Sequence, residues 1–392
     1  MKILEITAFS SGICGLWSRV NKEAQLLKEK GHEVFVFSSN IKRGLGKIEY
    51  APDYEIKNGV KIKRFKPYCG FGENTFFWSY STEALKLKPD LIISHAYRQY
   101  YSTIALKVAR RLNIPCILVT HAPFLDKNLR DFKLNLAVLI YDNFIGKRIL
   151  NKYSKIFTIT NWEIPYLLNL GVKRDKIVYS PNGIPKEFFR ANKIKNKKTK
   201  FKNILFLGRI APIKDVETLL NSFKLALKKE NNLILNLVGP VEEGYGKKIK
   251  LLIKKLNIKD KVIFHKPVYD LQDKISIIDN SDIFILSSKR EGMPQSLIEA
   301  MSRGKVVISS KTDGGKEIVK DGENGYLFDI GDEVQLSKNI LESIKENKKN
   351  ESIKKNARKT VEQFSWDKLI NKIDGIIQNQ KISYNNPYKI SS

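Results

Sequence analysis

The sequence predicts an α/β protein built from two doubly wound domains. Three observations carry that expectation: short apolar strands alternate with amphipathic helices, a basic run breaks the alternation near the middle, and the alternation then restarts. The first strand is KILEITAF, and it runs into a small-residue turn at 10–15. A helical period at Leu16, Val20, Ala24 and Leu27 follows and closes at Gly31. Strands are expected at 32–39, 90–95, 115–121 and 155–160, with helices over about 102–112 and 162–170. The apolar-poor run RANKIKNKKTKFK (190–202) interrupts this rhythm. Beyond it, strands are expected at 203–207, 233–238, 262–265, 282–286, 305–309 and 326–328. The helices between them fall at 216–228, about 247–256, 271–279 and 295–303. The expected domains are therefore 1–185 and 203–365, joined by a basic linker at 186–202. A last helix opened by Trp366 (366–392) is expected to pack back toward the first domain and to end in a frayed tail. Ligands of doubly wound sheets bind at the carboxyl ends of the strands.

Bulk properties bound the function. A chain of 392 residues is too long for one typical core. With 42% hydrophobic and 10% aromatic residues, general disorder is not expected. Cys14, Cys69 and Cys116 are odd in number and lack zinc-type spacing, which points to a reducing, cytoplasmic setting. No run approaches the roughly 20 apolar residues of a membrane span, and the opening residues read as a strand, not a signal peptide. The protein is expected to be soluble or peripheral at a membrane. Seventy Lys and Arg against 41 Asp and Glu give a net charge of +29. That charge attracts anions: nucleotide phosphates, phospholipid head groups or nucleic acid. Nucleic acid is not expected, because no helix-turn-helix, zinc finger or aromatic RNP-like strand accompanies the charge. Lysines spread over solvated faces account for the charge equally well.

Two segments of the second half carry chemistry. The strand ILFLG ends in Gly208-Arg209-Ile210-Ala211-Pro212-Ile213-Lys214-Asp215. There Gly208 admits a ligand to the backbone, and Arg209 and Lys214 set two cations at a strand end. A departing diphosphate needs that neutralisation; a bare helix-start pair is the bland alternative. The segment from Glu291 through Gly292, Met293, Pro294 and Gln295 to Glu299 places two carboxylates eight positions apart, directly after the strand DIFILSS. Pro294 suits a first helical turn, whose N–H groups then open beside Glu291. Glu299, one to two turns into the helix, suits paired sugar hydroxyls. Two surface glutamates flanking a turn would show the same spacing.

These residues resemble the signature of the family 4 retaining glycosyltransferases of the GT-B fold. Glu291 and Glu299 meet its E-x7-E element, and Gly208, Arg209 and Lys214 its G-R-x4-K element. The resemblance extends to Pro181-Asn182-Gly183-Ile184, Gly314-Gly315, 321–325, 30–34 and the Trp366 helix. It implies GT-B architecture, with two Rossmann-like domains facing a central cleft. It further implies transfer of a hexose-type sugar from a UDP- or GDP-sugar with retention. The acceptor would be a glycan, a lipid-linked or a small molecule. By this resemblance Arg209 and Lys214 clamp the diphosphate and Glu299 takes the ribose hydroxyls. Glu291 holds the donor sugar, and Gly292, Met293, Pro294 and Gln295 border the sugar and phosphates. Thr120-His121 ends a strand as the family's sugar-contacting histidine does, so Glu291 and His121 are the expected catalytic pair.

Departures matter too. The family's Gly-Gly pair after the first strand is replaced by Ser10-Ser11-Gly12-Ile13-Cys14-Gly15, leaving Gly12 and Gly15 as the residues that admit phosphate. Asp215 stands where the family often has Gly, and Lys266 and Val268 where a Gly-containing loop often borders the base. His95, Tyr97 and Arg98 are expected on the acceptor side, with the aromatic runs 71–80 and 97–101. No Asp-x-Asp occurs, and no metal or other cofactor is expected, since Arg209, Lys214 and helix N–H groups can neutralise the leaving group. The segment 129–150 mixes Phe132, Leu136, Leu139, Ile140 and Phe144 with Lys133, Lys147 and Arg148. Such a helix suits an anionic bilayer or packs on the first sheet. The rival functional class is a noncatalytic anion-binding protein acting on nucleic acid or membrane.

Overall fold

KILEITAF carries apolar residues on both faces, and as β1 (Lys2–Phe9) it buries every residue after Lys2. A strand covered on both sides belongs in the middle of a parallel sheet. The computed structural model describes residues 1–12, 14–43, 49–71, 75–124, 130–190 and 201–385. They divide into two compact units, Met1–Asn182 with Asp367–Ser392, and Gly183–Trp366.

In the first unit β1 is followed by β2 (Glu33–Ser39), β3 (Ile41–Lys42), β4 (Glu49–Tyr50), β5 (Tyr54–Lys57) and β6 (Val60–Phe65). Then come β7 (Cys69–Phe71), β8 (Thr75–Phe77), β9 (Leu91–His95), β10 (Cys116–Val119), β11 (Lys155–Thr158) and β12 (Ile177–Tyr179). Eight of these form one sheet in the order β12-β11-β10-β9-β1-β2-β6-β5. Succession runs outward from β1 through β2 in one direction and from β9 in the other, so the switch point lies between β1 and β9. The covering helices are α1 (Gly15–Glu29), α2 (Ser81–Leu87), α3 (Tyr100–Leu112), α4 (Phe132–Ile140), α5 (Lys147–Ile149) and α6 (Ile164–Asn169).

The β5–β6 hairpin was not expected from the sequence, because lysines at alternate positions make VKIKRF look polar. Its signal is Asn58-Gly59, both with positive φ (51° and 73°), the backbone a two-residue hairpin turn demands. The alternation of buried and half-buried residues along β6 fits a strand with one face on the core.

The second unit holds β13 (Lys202–Leu207), β14 (Leu233–Val238), β15 (Val262–His265), β16 (Ile283–Leu286), β17 (Val306–Ser310) and β18 (Tyr326–Phe328). They form a sheet in the order β15-β14-β13-β16-β17-β18, parallel at every pairing. This is the 3-2-1-4-5-6 order of dinucleotide-binding sheets, whose switch point falls between β13 and β16. Its helices are α7 (Val216–Leu227), α8 (Glu243–Lys255), α9 (Leu271–Asp279), α10 (Gln295–Ser302), α11 (Asp313–Ile318), α12 (Glu333–Ser343) and α13 (Lys348–Val361).

The expected boundaries shift. Lys186–Phe189 is a 3-10 turn with Phe188 buried, and Arg303 donates to the carbonyls of Phe188 and Arg190. Residues 186–190 are thus folded into the second unit, not linker, and the division falls after Asn182. The expected linker residues 191–200 lie outside the described residues. Gly183 has no room for a side chain, since a Cβ there would lie 2.5 Å from the Trp366 indole. From Asp367 on, α14 (Trp366–Asn385) joins the first unit: Asp374 meets His32 at 2.7 Å and Lys372 donates to the Tyr179 carbonyl.

Candidate functional site

Leaving β13 at the switch point, the chain runs through Gly208 and an exposed Arg209 into the 3-10 turn Pro212–Lys214. The space beside Gly208 is open: a Cβ there would meet only the Phe206 ring, at 3.8 Å. Neighbouring Gly239 is the constrained glycine, since its Cβ would lie 2.1 Å from the Gly208 carbonyl oxygen. Asp215 has φ 47°, a left-handed conformation that glycine takes freely and Asp tolerates. Its carboxylate accepts from Thr218 Oγ1. The turn is fastened to the end of β16, where Ser287 Oγ donates to the Lys214 carbonyl and the Lys289 N–H to that of Ile213.

That fastening sets Lys214 against Glu291. Lys214 Nζ lies 2.5 Å from Glu291 Oε1, and Ser288 Oγ donates to the same oxygen at 2.6 Å. The structure therefore brings together the cation expected on the diphosphate and the carboxylate expected on the sugar. Arg209 stays exposed and has no ion-pair partner among the described residues.

Pro294 caps α10, and Glu299 sits on the helix's buried side, 4% exposed. Glu299 Oε1 accepts from Lys274 Nζ of α9 at 2.6 Å, while Oε2 is buried without a hydrogen-bond partner among the described residues. Burial pushes the Glu299 carboxyl above its ordinary range, against the pull of Lys274. A carboxylate oxygen held dry and unpaired is unfavourable by about 1–3 kcal/mol, and such atoms collect where a ligand completes them. The loop before α10 is set by Gly314, which donates its N–H to the Glu291 carbonyl. A Cβ on Gly314 would fall 2.3 Å from the Gly292 carbonyl oxygen, so only glycine lets α11 close on this loop.

In the first unit, Gly12 (φ 84°) bridges to Arg43, whose carbonyl oxygen occupies the place a Cβ would take. Its missing side chain serves that bridge. Gly15 opens α1 with nothing within 4 Å of its Cβ position. His121 (φ 59°) and Ala122 (φ 52°) follow β10 as two consecutive left-handed residues. Glu163 pins this turn: its carboxylate accepts from the N–H groups of Ala122, Ile159 and Thr160 and from Thr160 Oγ1. Burial raises Glu163 to about 7, opposed by hydrogen bonds from Thr120, Thr160 and Ala122.

The residues expected on the acceptor side are engaged internally. His95 is fully buried at the end of β9. Tyr97 is buried and donates to Asp142, and Arg98 grips the same carboxylate with Nε at 2.8 Å and Nη2 at 2.6 Å. This pairing moors the segment after α4. Trp78, Tyr80 and Tyr101 likewise fill the core; residues 72–74 of the first aromatic run lie outside the described residues.

Two family models divide the chain, Glycosyl transferases group 1 over residues 187–360 and Glycosyltransferase Family 4 over residues 14–188. An uncharacterised glycosyltransferase of Methanocaldococcus jannaschii is 27% identical over 387 residues, 93% of this chain and 95% of that protein. The chain belongs to the family 4, group 1 glycosyltransferases. Its two units make the GT-B fold. The Anabaena protein HepE in complex with UDP and glucose superposes with a TM-score of 0.74 at 17% identity, covering 97% of this chain and all of that one (100%). Sucrose-phosphate synthase from Thermosynechococcus elongatus gives a TM-score of 0.77 at 18% identity, covering 97% and 99%.

Within this glycosyltransferase, sequence reasoning missed several residues that shape the site. Thr160-x-x-Glu163 is a capping-box spacing and was a legible signal for Glu163. Glu5, a charge in the middle of an apolar strand, was legible as well. Lys274 and Ser288 carried no signal, because only the packing of α9 and the turn after β16 bring them to Glu299 and Glu291.

Proposed function

We propose that this glycosyltransferase moves a hexose-type sugar from a UDP- or GDP-sugar to a glycan, lipid-linked or small-molecule acceptor, with retention and without a metal. The observation that carries the reading is the unpaired, buried Oε2 of Glu299 at the switch point of a 3-2-1-4-5-6 sheet. A ribose diol donates to it, and Arg209 and Lys214 then face the diphosphate. Those two cations supply the neutralisation a divalent ion would otherwise give. The UDP held by HepE, a protein of the same fold, supports a uridine donor. In the reaction the bond from anomeric carbon to phosphate oxygen breaks and a bond to the acceptor oxygen forms on the same face. The acceptor proton passes to the departing phosphate oxygen. Glu291, with Lys214 drawn toward phosphate, holds the sugar hydroxyls.

A lipid-linked acceptor at an anionic bilayer is favoured by α4. None of its residues is buried, and Phe132 is 81% exposed and Leu139 55%. Leu134, Leu136, Ile140 and Phe144 are exposed with them, beside exposed Lys133, Lys147 and Arg148. The alternative of a helix packed on the sheet is not what α4 does. Among the described residues no helix is long and apolar enough to cross a membrane.

The test is transfer from a panel of nucleotide sugars, with EDTA present, to glycan and lipid-linked acceptors, and the anomeric configuration of the product read by NMR. Retained configuration with EDTA supports the proposal; an inverted product, or activity only with a divalent ion, overturns it. For the bilayer, flotation with anionic vesicles is expected, and recovery wholly in the soluble fraction counts against it.

A further inference from the structure

Beneath the first sheet's switch point lies a group of buried polar residues that sugar transfer as proposed leaves unused. Glu5 of β1, Glu23 and Arg19 of α1 and His95 of β9 are all buried, and single ligand-type atoms of Glu5, Glu23 and His95 lie within 4.8 Å of one another. Arg19 is committed to Glu23 at 3.0 Å, to Ser180 and to Asn182. Among the described residues one cation therefore faces two carboxyl groups, and a second buried negative charge would be left uncompensated. Because Glu23 holds the arginine, Glu5 is the carboxyl that stays neutral. Burial and the neighbouring Glu23 charge both act in that direction.

A chain of contacts leads outward from Glu5. Its Oε2 lies 3.0 Å from His95 Nε2, and His95 Nδ1 lies 3.1 Å from His121 Nε2. Each link has one proton, so its direction at one end fixes every direction after it. A neutral Glu5 donates to His95 Nε2, His95 Nδ1–H donates to His121 Nε2, and the proton of His121 is left on Nδ1. Burial keeps both imidazoles neutral, as this order requires.

We infer that Glu5 is a positioning residue: through His95 it holds His121 as the Nδ1–H tautomer, so that His121 presents a donor, not a lone pair, to a sugar or phosphate oxygen. The inference rests on the reading of His121 as a ligand-contacting residue. It explains why a strand that is otherwise apolar carries a glutamate, and it assigns His95 to the site through His121.

The experiment uses the full chain labelled with 15N-histidine. Long-range proton–nitrogen correlations report which ring nitrogen of each of the four histidines carries the proton, and His121→Asn identifies the His121 signals. The inference expects Nδ1–H at both His95 and His121. Protons on Nε2, an even mixture, or signals that move on adding Zn2+ or Mn2+ (a cation in place of the Glu5 proton) overturn it. Glu5→Gln keeps a donor for His95 and is expected to keep the tautomers and the transfer rate. Glu5→Leu removes the anchor, mixes the tautomers and lowers kcat about 10–100-fold, the loss met when a partner that orients a metal-bound histidine is removed, at unchanged donor KM. If Glu5→Leu does not fold, the wild-type and Glu5→Gln spectra decide. If the tautomers are as expected but His121→Asn transfers sugar at the wild-type rate, the ligand reading of His121 fails and the positioning role falls with it, while the proton order stands.

Discussion

Glu299→Gln separates a residue kept for a ligand from one kept for the fold. The substitution preserves volume, so α10 keeps its packing. In the free protein it removes the charge of a residue that is 4% exposed, with Oε2 unpaired among the described residues, and it gives Lys274 an amide oxygen in place of the carboxylate 2.6 Å away. The Lys274 side chain is 27% exposed against 6% for Glu299, so the ammonium can turn to water while the buried charge is lost. The two effects oppose, and the unfolding free energy is expected to change by less than about 1 kcal/mol. Nucleotide binding is different. Hydrogen bonds to a charged group contribute about 1.5–3 kcal/mol, so exchanging the carboxylate for an amide is expected to weaken the Kd roughly 10- to 150-fold. Urea unfolding and calorimetric titration with UDP, both in EDTA, give the two numbers. A loss of several kcal/mol in stability with an unchanged Kd would refute the reasoning and make Glu299 a structural ion-pair partner.

Other outcomes follow from the same contacts. Gly314→Ala forces a methyl to within 2.3 Å of the Gly292 carbonyl; about 1–3 kcal/mol of stability is expected to be lost, with weaker donor binding as the Glu291 loop shifts, read by thermal unfolding and titration. Asp142→Asn breaks the paired hydrogen bonds from Arg98 and the one from Tyr97. It is expected to destabilise the first unit by about 1–3 kcal/mol while leaving UDP affinity unchanged, and a change in that affinity alone would contradict the assignment. His121 is pushed down to about 3 by burial, and His95 is depressed likewise. Their folded pKa values lie below the unfolded value near 6.5, so their contribution is complete above about pH 6.5 and is lost as pH falls, toward about 3 in the case of His121. Glu5, Glu163 and Glu299 are raised and gain stability over the same window in the wild type and in His121→Asn alike, so the histidine is read as a difference. Between pH 7 and pH 5, urea unfolding of the wild type should lose up to about 1.4 kcal/mol per pH unit relative to His121→Asn. A His121 ring titrating near its ordinary value by NMR would contradict this.

The second sheet and the middle of the first were legible because parallel strands buried on two faces write largely apolar runs, as β9, β10, β13 and β16 do; the three-residue edge strand β12 was not. The β5–β6 hairpin was passed over because Lys61, Lys63 and Arg64 mask its period-2 burial, although Asn58-Gly59 announces the turn. In the site, Arg209, Lys214, Glu291 and Glu299 were legible because spacing fixes which strand end each leaves. Their partners were not. Lys274 reaches Glu299 only through the packing of α9 beside α10, and the direct Lys214–Glu291 pair depends on how the loops after β13 and β16 fold together. His95 ends a strand and Tyr97 and Arg98 follow it, yet Asp142, 44 positions beyond Arg98, takes the hydrogen bonds of Tyr97 and Arg98. A distant partner of that kind leaves no mark in the local pattern.

The central claim, that the switch point of the second unit binds a nucleotide diphosphate sugar, is tested most directly by thermal stabilisation of the full chain. A panel of UDP-, GDP- and ADP-sugars in EDTA is compared for the wild type, Arg209→Ala and Glu299→Ala. At least one nucleotide sugar is expected to raise the wild-type Tm, with the shift lost in both variants. No shift from any member of the panel, or one that survives in both variants, would contradict the account.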